Sequence, residues 1–234
     1  MTKHIFDTLD VYHDDTPRTA AINMAIDEAI LEIANAPSLR LYRWDHPALS
    51  FGYFGRYVDV SSYESERDLV RRWTGGGIVF HGEDLTYSII IPRNDPSFAN
   101  TSMSVYALVH SAVRDALIAN DESAELASVA GVVDAGAAVT GRDYNAHSCF
   151  ANPVRADVLV RGRKVAGAAQ RKTRAGLLQQ GSIQYVDLAQ DFGIQLAARL
   201  ADGCQHRQLN GSIVERAHQI AGQKYGTAAW LQRR

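Results

Sequence analysis

Three short segments hold the residue types that chemistry needs. The first is Arg71-Arg72-Trp73-Thr74-Gly75-Gly76-Gly77-Ile78-Val79-Phe80-His81. Three consecutive glycines let backbone N–H groups approach a ligand with no Cβ in the way. The two arginines can neutralise a carboxylate or phosphate. A flexible turn between strands is the plain alternative. The spacing lacks the Gly-Lys-Ser/Thr end of a phosphate loop and is not a dinucleotide fingerprint, which argues against both. The second segment is Arg163-Lys164-Val165-Ala166-Gly167-Ala168-Ala169-Gln170. Small residues follow Lys164, so a ligand can lie close to the backbone while the ammonium donates to a carbonyl or phosphoryl oxygen as charge develops. An ordinary exposed strand lysine is the alternative. The third, Asn145-Ala146-His147-Ser148-Cys149-Phe150, sets a histidine two residues before a cysteine and invites a nucleophile reading. Cysteine is also among the most buried residue types and is usually inert packing. Cys204 has no comparable context and reads as structural. The eight histidines are scattered, with no Cys-x-x-Cys or His-x-x-x-His pair, so no metal site is expected. A Gly-x-Ser-x-Gly elbow is also missing.

The elements that must position these groups follow from pattern. Thr16-Pro17 reads as an N-cap with proline at the first helical position. Ile22, Ile26, Ala29, Ile30 and Ile33 then recur at helical spacing. Strands are expected at 39–45 and 48–51, then a short helix over 61–70. Strands at 78–80 and 85–91, joined by His81-Gly82-Glu83-Asp84, have hairpin-like order and point to a mixed or antiparallel sheet. Val105, Leu108, Val109, Ala112, Val113, Ala116 and Leu117 mark an amphipathic helix. Three strands at 157–160, 164–169 and 177–185 surround Lys164, with turns at Arg161-Gly162 and Ala175-Gly176. A helix over 188–200 follows. Ser212 with Glu215 forms a capping box for a last helix to about Tyr225.

Composition narrows the class. Of 234 residues, 46% are hydrophobic and 21% charged, which excludes wholesale disorder and fibrous repeats. The net charge of −2, without long single-sign runs, argues against a general nucleic-acid binder. Two cysteines do not make a disulfide scaffold and fit a reducing cytoplasm. Residues 1–15 lack the apolar core of a signal peptide. No apolar run approaches the length that spans a bilayer, so no membrane partner is expected.

Taken in order, the segments resemble the catalytic module shared by lipoate–protein ligases, octanoyltransferases and biotin–protein ligases. The similarity covers nearly the whole chain. The family hallmark Arg-Arg-x-Ser/Thr-Gly-Gly-Gly-x-Val-Phe-His stands at Arg71 to His81, the lysine segment at Lys164 to Ala169, and the Gln-His/Gln-Gly-Ser-Ile segment at Gln179 to Ile183. The Gly-Arg-Gly-Arg loop of the biotin branch is missing. The resemblance implies an α/β (α+β) fold, a mixed, largely antiparallel sheet flanked by helices. It implies a single catalytic domain over 1–234 with no C-terminal accessory domain. The ligand would be a medium-chain acyl group, octanoyl or lipoyl. The acceptor would be a lysine on a lipoyl domain, in the glycine cleavage H protein or a 2-oxoacid dehydrogenase acyltransferase subunit.

Within the family, Cys149-Phe150, the acidic-aliphatic strand from Asp157 to Val160, Gly162 to Gln170 and Gln179 to Ile183 resemble the cysteine-dependent octanoyltransferase branch. That branch takes octanoate from acyl carrier protein as a cysteine thioester, with no cofactor. The resemblance makes Cys149 and Lys164 catalytic. It assigns Arg71, Arg72, Gly75, Gly76, Gly77, Val79, His81, Gly167, Ala168 and Ala169 to substrate binding, with the acyl chain in a tunnel near Gly75 to Gly77 and Val79. Gly77 is a ligase-like feature, and Gly55 stands where the transferases commonly have glutamine after the Gly-Tyr-Phe turn. The alternative is therefore an ATP- and Mg²⁺-dependent lipoate–protein ligase that forms lipoyl-adenylate, with Lys164 and the Arg71/Arg72 loop on the adenylate. A non-catalytic acyl or lipoyl-domain binder is a further alternative. Arg71, Arg72, Arg171, Lys172 and Arg174 form a candidate docking rim for acidic carrier domains; a solvated basic turn is the other reading of them.

Overall fold

The computed structural model describes residues 4–128 and 153–233. The first element is a strand, β1 (Phe6–Arg18), where the sequence leads one to expect the start of a helix. Its charges hide it from pattern reading. They are balanced across neighbours instead: Asp14 meets Arg18 and Arg40, and Asp10 meets Arg207. Helix α1 (Ala20–Ile33) starts at Thr19, whose side chain accepts from Ile22 N–H, so Thr16-Pro17 belongs to the strand. Next come β2 (Ser38–Trp44), β3 (Ala48–Phe51), β4 (Asp68–Arg71), β5 (Ile78–His81) and β6 (Leu85–Pro92). Of the helix expected over 61–70, only the single turn Ser61–Tyr63 forms, and the chain then enters β4. Helix α2 (Ser102–Ala119) is capped by Thr101. Strands β7 (Ala124–Leu126), β8 (Val158–Val160), β9 (Arg163–Lys172) and β10 (Gly176–Ile183) follow. The chain continues through α3 (Phe192–Leu200), β11 (Ala201–Arg207), α4 (Gly211–Ile220) and α5 (Ala228–Leu231). The side chain that caps α4 is Asn210, which accepts from Ile213 N–H; Ser212 already lies inside the helix.

One sheet has the order β11-β1-β2-β6-β10-β9-β8-β7, and a second has the order β4-β3-β5. In the large sheet β1 runs parallel to both neighbours and every other pair is antiparallel. The mixed, largely antiparallel sheet flanked by helices therefore stands as expected. The hairpin between 78–80 and 85–91 does not. β5 pairs with β3 in the small sheet, Ser50 opposite Val79, while β6 lies between β2 and β10. Two short apolar runs cannot say which partner they take, because strand pairing is non-local.

Alternation along β6 divides the core. Ile89 and Ile91 join Leu39 and Leu41 against α2 and α3. Ile90 joins Tyr42 and Leu178 against α1 and α4. Buried Arg40 of β2 fastens α1 down. Its guanidinium donates to Asp27 Oδ1 at 2.9 Å, Asp14 Oδ2 at 2.7 Å and Asn23 Oδ1 at 2.8 Å. A buried guanidinium is tolerable only with partners of this kind. Among the described residues, no helix is long and apolar enough to cross a membrane.

Candidate active site

The two sheets meet around a cavity. Met24 of α1, Tyr42 and Trp44 of β2 and Gln180 of β10 line it on the large-sheet side. The small sheet contributes Ser50, Arg72, Val79 and His81. Lys164, Gly167, Ala168 and Ala169 of β9 complete the wall. The structure thus brings Arg72, Val79, His81 and the lysine segment of the sequence reading to one hollow.

The polar groups of this wall satisfy one another. Asp84 Oδ2 accepts from His81 Nδ1 at 2.8 Å, Thr86 Oγ1 at 2.9 Å and Ser182 Oγ at 2.7 Å, while Oδ1 accepts from Gly82 N–H at 3.1 Å. Burial alone would raise the Asp84 carboxyl; the adjoining His81 and these hydrogen bonds outweigh it and bring it down to about 2. His81 Nε2 lies 2.6 Å from Ser50 Oγ, which accepts from Arg72 Nη1 at 2.6 Å. The His81 ring stacks on Trp44, centroids 4.0 Å apart, and Trp44 Nε1 donates to Thr86 Oγ1 at 2.7 Å. A wall whose donors and acceptors are already paired can face an apolar chain without leaving polar groups stranded.

Lys164 is almost buried, at 6% exposure, with its Nζ 2.7 Å from Asp157 Oδ2. Its side chain runs across Gly167, where a Cβ would lie 2.5 Å from Lys164 Cε and 2.7 Å from Nζ. A side chain at position 167 would push the end of the lysine aside. Gln180 places the glycine loop: its Nε2 donates to Asp27 Oδ2 and its Oε1 accepts from Thr74 Oγ1, at 2.8 and 2.9 Å.

The arginine pair and the glycines depart from expectation. Arg71 does not face the cavity. It is buried, and its guanidinium donates to the carbonyls of Tyr53, Gly55, Trp230, Leu231 and Arg233 at 2.6 to 3.2 Å. Carbonyls at the end of a helical turn keep lone pairs that attract a cation. Arg71 is thus a clamp on the last described turn, not an anion ligand and not part of a docking rim. Arg72 is also buried and donates to Gly75 O and Gly77 O, so it leaves the rim too. Arg174 is exposed, Arg171 stacks on Tyr53 and Trp73, and Lys172 donates to Phe98 O and Asn100 O. Gly76 and Gly77 line a neighbouring hollow with Gly52 and Arg56. A Cβ on Gly52 would meet Gly76 O at 2.0 Å, so the close approach of the glycine loop demands a glycine at position 52. Replacing Arg71 by alanine should cost about 2–3 kcal/mol of stability and speed proteolytic release of the last residues, read by denaturant melts and limited proteolysis.

Cys149 and His147 lie outside the described residues. Cys204 packs beside the α2–α3 core, and burial pushes its thiol up, as suits a structural residue. Sequence reasoning passed over Ser50, Asp84 and Asp157 as site residues. Asp157 had a visible signal, an acid opening an otherwise apolar strand, which must find a partner once buried.

The chain is similar to known proteins in sequence and in fold. Residues 19–202 match the model of the lipoyl protein ligase A/B catalytic domain. Octanoyltransferase LipM of Brevibacillus brevis is 33% identical over 174 residues, 70% of this chain and 61% of that protein. Octanoyltransferase LipM of Oceanobacillus iheyensis is 35% identical over 182 residues, 73% of this chain and 62% of that one. The chain thus spans about three-fifths of the length of these curated relatives. Among solved structures, lipoate-protein ligase A bound with ATP superposes with a TM-score of 0.71 at 20% identity, covering 97% of this chain and 98% of that one. A bi-partite lipoate protein ligase of Thermoplasma acidophilum, studied with its E2 lipoyl domain, gives 0.70 at 19% identity, covering 98% and 97%. These two likenesses are of fold. The chain belongs to the lipoyl protein ligase A/B catalytic domain family.

Proposed function

We propose that this protein places a medium-chain acyl group on the acceptor lysine of a lipoyl domain in the cytoplasm, taking octanoyl from acyl carrier protein through a thioester on Cys149. The observation that carries the reading is an apolar-tolerant cavity with Lys164 in its wall, in a chain one-third identical to octanoyltransferases LipM. The Cys149 thiolate attacks the carrier thioester, and the carrier thiol leaves. The acceptor amine then attacks the Cys149 thioester; an amide forms and the cysteine thiol is restored. Lys164 donates to the carbonyl oxygen in both tetrahedral intermediates. Arg72, Val79, His81 and Gly167 to Ala169 shape the acyl cavity. Burying seven methylenes contributes on the order of 5–6 kcal/mol before costs, enough to select chain length. Glycine cleavage H protein and 2-oxoacid dehydrogenase lipoyl domains are the acceptors, and no cofactor is needed.

Fold likeness to a ligase bound with ATP favours a second reading, in which free acid is activated with ATP and Mg²⁺. Mass spectrometry of the intact protein with a lipoyl domain separates the two. Octanoyl acyl carrier protein without ATP should give a hydroxylamine-labile adduct mapped to Cys149 and an octanoylated domain. Modification only with free octanoate or lipoate plus ATP and Mg²⁺ would establish the ligase. No modification in either case would leave a binder.

Gly167→Ala tests the path of the lysine. Its Cβ displaces Lys164 Cε, so transfer should slow at least about tenfold while the melting temperature moves by only a few degrees. A normal rate would show that Lys164 need not cross that point.

A further inference from the structure

Behind Lys164 stands a construction that the transfer chemistry does not itself call for. Asp157 has no exposed surface, and its carboxylate is fully engaged. Oδ2 meets Lys164 Nζ at 2.7 Å and accepts from Val154 N–H at 2.6 Å. Oδ1 accepts from Tyr106 O–H at 2.5 Å. The Tyr106 oxygen in turn accepts from Ala168 N–H at 3.2 Å, in the stretch of β9 that lines the cavity. Burial and the neighbouring Asp157 charge hold the Tyr106 hydroxyl far above its ordinary value, so it stays a donor. One carboxylate therefore joins α2, the loop entering β8, and the lysine of β9.

The backbone beside it is held in an uncommon shape. Ala156 has a φ of +68°, in the left-handed region that favours glycine. Three bonds hold it there: Ala156 N–H donates to Ala127 O, Ala127 N–H donates to Asp157 O, and His110 Nδ1 donates to Ala156 O at 2.7 Å. The other ring nitrogen of His110 accepts from Tyr87 O–H at 2.9 Å. Burial pulls His110 down to about 4, so it stays neutral and keeps both bonds. Strain that persists because surrounding groups over-determine it is commonly found where a side chain must be aimed. The side chain aimed here is Asp157. Among the described residues, the charged or titratable groups around it are Lys164 from β9, Tyr106 and His110 from α2, and Tyr87 from β6.

We infer that Asp157 is a positioning residue for Lys164: anchored by Tyr106 and Val154 N–H beside the strained Ala156, it fixes the ammonium at the cavity wall. Gly167 supplies the other half of the device, since the lysine stem is bounded by that glycine on one side and by the carboxylate at its tip. Asp157 touches neither donor nor acceptor; it acts through Lys164. A carboxylate this close and this rigid leaves the ammonium one preferred direction, and rate depends steeply on such aim. The inference rests on the reading of Lys164 as the group that meets the acyl carbonyl.

Asp157→Asn keeps the shape and removes the charge. The full chain carrying it is compared with wild type for octanoyl transfer and for trace acetylation of Lys164 by acetic anhydride, read by peptide mass spectrometry. The expected result is kcat lower by at least about tenfold, KM within about twofold, and Lys164 acetylated several times faster. A structural ion pair would change stability and leave the kcat–KM split and the labelling alone. Should Asp157→Asn not fold, Tyr106→Phe removes one anchor and keeps the carboxylate; a smaller kcat loss and the same direction of labelling are expected. Unchanged kcat and unchanged Lys164 labelling in a folded variant overturn the inference. The labelling needs no turnover. Faster labelling in a protein that transfers no acyl group would therefore sink the functional reading and spare the positioning one.

Discussion

On the proposed function, replacing Lys164 by alanine should lower acyl transfer by roughly a thousandfold and destabilise the protein at the same time. The first effect follows from losing the donor to the developing oxyanion, a contribution on the order of 10²–10³ in rate. The second follows from the ion pair. Asp157, fully buried, loses the ammonium 2.7 Å away, and an uncompensated buried charge costs about 3 kcal/mol or more. For a chain of this size that is roughly 6–12 °C in melting temperature. The two effects separate in the double variant Lys164→Met with Asp157→Asn. Removing both partners restores most of the lost stability, because neither is left charged and alone, yet transfer stays absent. Steady-state rates with octanoyl acyl carrier protein and thermal melts of wild type, Lys164→Met, Asp157→Asn and the double variant complete the cycle. A Lys164→Ala enzyme within tenfold of the wild-type rate would remove Lys164 from the chemistry.

The largest effect on stability is expected at Asp84. Its carboxylate accepts from His81, Thr86, Ser182 and Gly82 N–H. Asp84→Ala strands four donors in a closed site and should cost about 3–5 kcal/mol. Asp84→Asn keeps the shape and allows a test by pH. Because the folded carboxyl is held down to about 2, below its ordinary 3.8, its contribution is present above about pH 4 and is lost as pH falls through about 2. The shift corresponds to about 2 kcal/mol. The stability gap between wild type and Asp84→Asn should therefore narrow by about that amount from pH 5 to about pH 2, read from urea midpoints. An unchanged gap would mean that the carboxylate is not held in its charged form by the fold.

Much of the site was readable from local pattern. The run from Arg71 to His81, the small residues after Lys164, and the three strands around it stand where spacing puts them, because turns and alternation are written locally. What escaped was non-local. Arg71 and Arg72 are identical in type and adjacent, yet one clamps the last turn and the other holds Ser50 and the glycine-loop carbonyls. Nothing in the dipeptide distinguishes them; the partners lie far off in sequence. The same holds for β5, whose apolar residues would serve in either sheet, and for β1, whose aspartates give no strand signal until Arg40 and Arg207 pair with them. Ser50 and Asp84 carried no signal of their own, since a lone serine in a strand and an acid after a turn are common.

The parallel pairing of β1 with β11 bears on how the chain is made. Phe6 lies opposite Ala201, about 195 residues later. β1, α1 and β2 form a compact unit that can assemble soon after leaving the ribosome. Its outer edge, however, waits for β11. At about 5–20 residues per second that wait is on the order of 10–40 s. During it an unpaired strand edge faces a crowded cell, the situation in which chains pair with one another. The aspartates along β1, unwelcome in a folded sheet without their arginines, repel other copies of the same edge while it waits. The edge of β1 is therefore open until β11 emerges to cover it.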